Sequence, residues 1–240
     1  MKHLKEFNRF FEDVSVYADG GNAAIAKGNL FPEEEEMEEK AIPMDDLVAP
    51  EAHLGLLLRE ETSLGILEKT LVLWNFQEKQ IMGAADIEWD KDMKHWVVWK
   101  TAAEKNFGPD MYDFALMTGY PNGVMPSHTI RPAARNVWTY YMDHRPDVTK
   151  EIVRPGDHKY RKDYIRDQDH EDQPENDPEF LRVINAIYYL KPTRYYHELL
   201  ADGEKYCLQY GIKASAIMTD KRFNSYFNSK YRPMEDEIVK

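Results

Sequence analysis

The stretch from His95 to Gly119, HWVVWKTAAEKNFGPDMYDFALMTG, decides how the fold is read. It opens on Trp96, Val97, Val98 and Trp99, an apolar run whose β-branched and aromatic content suits a buried strand. A polar passage from Ala103 to Asn106 leads to Phe107-Gly108-Pro109. Pro109 fits a first helical position, where a missing N–H costs nothing. Met111, Tyr112, Phe114, Ala115 and Leu116 recur at helical spacing up to Gly119, read as the stop. A strand, a tight turn and a helix aim backbone N–H groups at an anion. The same geometry also serves an ordinary β-turn-α unit that holds no ligand.

Working outward, Thr70 to Phe76 and Ile81 to Trp89 are apolar runs joined to each other and to the His95 strand by short polar turns. Together they predict an antiparallel meander, with Gly83 marking a bulge. Upstream, Asp45 to Thr70 predicts one or two helical segments burying Leu54, Leu57 and Leu58, with His53 at the surface or capping. Downstream come a short run from Gly123 to Ser127, a helix from Pro132 carrying Ala134, Val137, Trp138 and Tyr141 on one face, and a strand within Val148 to Val153. Asp163 to Glu179 is acidic and reads as a flexible linker. The last sixty or so residues predict helices: Phe180 to Leu190 halted at Pro192, a second from Thr193 to Gly211, and a third through Phe223, Tyr226 and Phe227. At the other end, Leu4, Phe7, Phe10, Phe11 and Val14 form an amphipathic helical face, followed by an arm containing the acidic run Glu33 to Glu39. The expected division is an N-terminal helix and arm (1–44), a core (45–155), a linker (156–179) and a helical extension (180–240).

A net charge of −12 over 240 residues argues against nonspecific nucleic-acid binding and permits a cationic substrate or partner. The single cysteine, Cys207, excludes an internal disulfide framework and points to a reducing compartment. No apolar run has the length of a membrane span and no secretory signal is read, so a soluble intracellular protein without a membrane partner is expected. No serine or cysteine nucleophile motif, zinc-ligand spacing or phosphate-binding P-loop is present. Asp167, Asp169, His170 and Glu171 lack the glycine and spacing of a calcium loop, and no metal is expected.

AAEKNFGPDMYDFAL resembles the pyrophosphate-binding segment of the GNAT superfamily of N-acetyltransferases, where a Gln/Arg-x-x-Gly-x-Gly/Ala turn cradles the diphosphate of acetyl-CoA. Gly108 takes the last small position, Asn106 the first Gly, and Ala103 the Gln/Arg place. Asn tolerates the left-handed conformation that this turn requires. The resemblance implies an α+β fold with a mixed, mostly antiparallel sheet flanked by helices, here with a C-terminal helical extension. It further implies acetyl-CoA as co-substrate, bound by Ala103, Glu104, Lys105, Asn106, Phe107, Gly108 and Asp110. The helix after Pro132 resembles the second GNAT helix, and Tyr141 stands nearest to the tyrosine that protonates the departing thiolate. Glu88 is the preferred base, ahead of Glu104, with His128 and Ser127 behind. The patterns G-P-x-x-Y-D and P-x-A-x-x-V-W-x-Y-Y are similar to GNAT-like proteins of tailed phages, over Leu56 to Asp147. The opening Met-Lys-x-x-Lys-x-Phe also resembles segments that route internal proteins into phage proheads. Two functions stay open: transfer of acetyl to an amine acceptor of unknown identity in the host cytoplasm, or an inactive GNAT-fold component of the virion that contacts other particle proteins. Gly108-Pro109 favours the first. Ala103, Asn106 and the displaced tyrosine favour the second.

Overall fold

Leu54–Ser63 (β1) and Ile66–Asn75 (β2) form an antiparallel hairpin where a helix was expected. Leucines at 54, 56, 57 and 58 satisfy a strand as well as a helix, because they divide between two buried faces. Leu56 joins one core cluster with Leu71 and Leu73, and Leu57 joins another with Val72 and Trp74. The turn settles the choice: Leu64 and Gly65 take φ of 48° and 79°, both positive, as in a two-residue hairpin turn.

The computed structural model describes residues 53–127, 130, 132–161, 178–211, 213–214 and 220–230. The expected N-terminal helix and arm, His128, and nearly all of the expected acidic linker lie outside the described residues. From β2 the chain continues through Gln80–Asp90 (β3), His95–Ala103 (β4), Gly108–Gly119 (α1) and Val124–Pro126 (β5). It then forms Pro132–His144 (α2), Thr149–Ile152 (β6), Pro178–Ile184 (α3), Ala186–Tyr189 (β7), Arg194–Tyr210 (α4) and Asp220–Lys230 (α5). The result is an α+β fold around a seven-stranded sheet ordered β1-β2-β3-β4-β5-β7-β6. Every neighbouring pair is antiparallel except β4 and β5, which α1 connects as a crossover.

The stretch Phe180 to Leu190 is not one helix. Asn185, 1% exposed, ends α3 by donating to the Leu181 carbonyl at 2.9 Å while its side chain clamps the backbone N–H and C=O of Arg161. The chain then extends as β7, between β5 and β6. Residues 186–189 therefore add a strand to the sheet where the helix was expected to continue.

The two sheet faces differ. On one, Leu71, Ile87, Trp96 and Val98 pack with Met111 and Phe114 of α1, Trp138 of α2 and Val183 of α3. On the other, Val72, Trp74, Ala84 and Ala102 pack with Tyr206 of α4 and Phe227 of α5. Helix α4 passes along the β1 edge so closely that a Cβ at Gly203 would stand 2.2 Å from the Leu56 carbonyl oxygen. A helix so placed shields an edge strand that would otherwise offer itself for pairing. Among the described residues no helix is long and apolar enough to cross a membrane.

Candidate functional site

The site is built where β4 leaves β5. Trp96, Val97 and Val98 pair with Val124, Met125 and Pro126, and the pairing stops there. On its other side β4 changes register at the same point: Val98 faces Ile87, Lys100 faces Asp86, and Trp99 is the extra residue of a bulge. A bulge bends and twists its strand. Beyond it, Trp99 to Ala103 run beside β3 alone, because β5 ends at Pro126.

A second bulge holds the turn that follows. Met82 has no register partner between the pairs Trp74–Ile81 and Leu73–Gly83, and its carbonyl accepts the Glu104 N–H at 2.8 Å. Gly83 beside it has no side chain to obstruct α1, since a Cβ there would meet Met111 Cγ at 2.5 Å. Phe107 N–H donates to the Glu104 carbonyl at 3.0 Å, and Asn106 takes φ 78°, the left-handed conformation expected of it. Helix α1 begins its ladder with Met111 N–H to the Phe107 carbonyl at 3.1 Å. Among the described residues the N–H groups of Lys105, Asn106, Gly108 and Asp110 have no backbone acceptor. These are the amides that a helix start leaves for an anion. Burial and the neighbouring Asp113 raise the Asp110 carboxyl to about 7, so near neutrality it is only partly charged.

Helix α5 reaches this turn from the sheet's second face. Lys230 Nζ lies 2.6 Å from Glu104 Oε1 and 5.7 Å from the Tyr226 ring centroid, and Lys100 Nζ sits 5.9 Å above the Phe227 ring. The chain thus places a lysine beside a turn that has Ala103 where a cationic or amide side chain was sought.

Glu88 lies on the second face, in a carboxylate cluster that the sequence reading did not assemble. It pairs across the strands with Glu68, while Asp86 pairs with Thr70 and accepts its hydroxyl at 3.0 Å. Asp86 is 8% exposed. Burial, reinforced by the Asp86 charge, pushes both Glu68 and Glu88 up to about 7, and Lys100 counters in part. The signal was the alternation Glu68-Thr70-Val72 against Ala84-Asp86-Glu88, legible only once β1 and β2 are recognised as a hairpin.

Tyr141 is 0% exposed, and its hydroxyl donates to Asp113 Oδ1 at 2.5 Å. Arg145 grips the same carboxylate at 3.0 and 3.2 Å and holds Asp147 with Nε and Nη2, both at 2.8 Å. Burial and the Asp113 charge hold the phenol well above its ordinary range. A buried phenol whose proton is committed to a carboxylate ties α2 to α1. Ser127, the other alternative in the described residues, is 2% exposed. No family model matches this chain, and no curated protein or solved structure matches it either.

Proposed function

We propose that this chain is a GNAT-type protein that binds acetyl-CoA at residues 103–110 and transfers the acetyl group to an amine. One observation carries the reading: among the described residues the one parallel strand pair ends with β5 at Pro126, and β4 continues past a bulge against β3 into a turn whose N–H groups have no backbone acceptor at a helix start. The diphosphate would accept from the N–H groups of Lys105, Asn106, Gly108 and Asp110. The thioester would lie beside the part of β4 that continues past the end of β5. Glu88 removes a proton from the acceptor ammonium, for which a carboxyl near 7 is well matched. The neutral amine attacks the thioester carbonyl, and backbone N–H groups of β4 would receive the oxyanion. The C–S bond then breaks and CoA leaves as a thiolate. The proton still carried by the cationic nitrogen passes through water to that thiolate, whose thiol pKa of about 8.5 allows it without a dedicated acid. Lys230 adds a positive charge at the turn.

The second reading is an inactive GNAT-fold component of a phage particle. The commitment of Tyr141 to Asp113 favours it, since the phenol of the resemblance is withdrawn from chemistry. Titration with acetyl-CoA, followed by the unfolding midpoint, separates the two, because a ligand of the native state must raise it. A rise that Gly108→Glu abolishes supports binding. No rise at millimolar acetyl-CoA ends the first reading.

A further inference from the structure

Strand β1 is an outermost strand of the sheet and pairs only with β2. In an antiparallel hairpin, alternate residues turn both backbone groups toward the partner strand or away from it. Ser63 and Ile66 flank the two-residue turn and bond to each other, which sends the N–H and C=O of the even-numbered β1 residues outward. The Leu56 carbonyl has this phase, since Gly203 of α4 packs directly against it. Past that contact the shield given by α4 ends. A groove of about 410 Å3 separates Leu58 and Glu60 from Leu200, Glu204 and Cys207. Among the described residues the outward N–H and C=O groups of Leu58, Glu60 and Thr62 have no backbone partner. At the tip of the same hairpin Leu64 is 91% exposed at φ 48°. It serves neither the core of its own chain nor the turn, where Asn or Gly is preferred.

The charges of the strand select what pairs with it. A second β1, running antiparallel about a two-fold axis at Glu60, sets Leu58 opposite Thr62 and Glu60 opposite its own copy. Outward groups then meet outward groups. The same register sets Arg59 opposite Glu61 on both sides of the axis, an attractive cross-strand pair. Registers centred on either neighbouring residue instead oppose Arg59 to Arg59 or Glu61 to Glu61. Within one copy Arg59 already reaches Glu61 at 3.1 Å, and Lys69 holds Glu60 at 3.2 Å. The two glutamates at the axis therefore meet as ion pairs and not as bare charges. Beyond the last pair, the turn carries Leu64 of each copy to the groove of the other.

We propose that the β1 edge is a self-association surface: two copies pair through Leu58 to Thr62 about a two-fold axis at Glu60, with Leu64 of each seated between β1 and α4 of the other. The inference is independent of acetyl transfer and of the turn at residues 103–110.

Sedimentation of the full chain should show a dimer forming between about 1 and 100 μM. Glu60→Pro is the first variant, because the N–H it removes points away from β2 and proline is tolerated at such an edge position. It should weaken the dimer at least about tenfold while the unfolding midpoint of the dilute monomer is kept. Leu64→Asn, which suits φ 48° better than leucine, should weaken it as well with no loss of monomer stability. The register is tested by mixing: Arg59→Glu and Glu61→Arg should each be monomeric alone and associate when combined. A wild-type chain that stays monomeric at about 100 μM overturns the proposal and leaves the edge to an extended segment of another protein. A dimer indifferent to Glu60→Pro overturns it too, as does a mixture of the charge variants that stays monomeric.

Discussion

Glu88→Gln isolates the electrostatic cost of the carboxylate cluster. Burial and the nearby Asp86 and Glu68 raise Glu88 from 4.5 to about 7, so the folded state penalises its ionised form. The sign follows directly. The penalty is absent below about pH 4, where the group is protonated in both states, and complete above about pH 7. At about 1.4 kcal/mol for each tenfold change in proton affinity, the nominal cost is about 3 kcal/mol. Glu88 keeps some solvent contact and shares its repulsion with two other carboxylates, which brings the expected value to about 1–2 kcal/mol. The variant should therefore be more stable than the parent by that amount at pH 8 and equal to it within a few tenths at pH 4.5. Urea unfolding followed by tryptophan fluorescence at the two pH values measures it. His95 acts in the opposite direction, since its folded value near 4 makes both proteins lose stability as pH falls below about 6.5. That contribution is common to parent and variant and cancels in their difference. A gain of the same size at both pH values, or a loss at pH 8, would refute the reasoning, because neither can come from an ionisation confined to this interval.

The same substitution should lower the rate of acetyl transfer by about a hundredfold or more, and the wild-type rate should rise with pH through about 7, which a stopped assay of released thiol over pH 5.5–8.5 reads out. Tyr141→Phe removes one buried hydrogen bond to Asp113 and should cost about 1 kcal/mol of stability with kcat unchanged; a large loss of kcat in a folded variant would restore the tyrosine to the chemistry. Asp113→Ala leaves Arg145 and Tyr141 without their shared acceptor and should cost about 3 kcal/mol in a denaturant melt. Lys230→Ala leaves the Glu104 carboxylate uncompensated beside the diphosphate turn and should weaken acetyl-CoA severalfold in calorimetry, whereas Asp110→Asn should strengthen it.

What the sequence disclosed, and what it withheld, divides along the reach of the interactions involved. The region from His95 to Gly119 was legible because its determinants are local: a β-branched run, an Asn that accepts φ 78°, a proline in the first turn and a glycine at the end. The β1–β2 hairpin was not, because Leu64 fills a left-handed position usually given to Asn or Gly, and four clustered leucines hide a period of two. Strand β7 was hidden by Ile187 and Leu190, which continue the helical spacing of Phe180, Val183 and Ile184. What breaks that helix is Asn185 reaching across 24 positions to Arg161. The carboxylate cluster and the Arg161–Pro126 contact have the same origin. Glu68, Asp86 and Glu88 meet only through strand register, and Arg161 arrives at Pro126 from 35 positions away.

The proposed chemistry has no need of the phenol of Tyr141. Helices α1 and α2 are joined by the Tyr141–Asp113–Arg145 network, and turning the phenol away from it would leave Asp113 with one fewer donor and loosen the helix that presents the Gly108 and Asp110 amides. The chain instead uses its tyrosine to brace the start of α1. In the proposed chemistry the proton leaving the acceptor ammonium is the one that passes through a protein group, and Glu88, raised to about 7 by burial and then by Asp86 and Glu68, is the carboxyl that would take it.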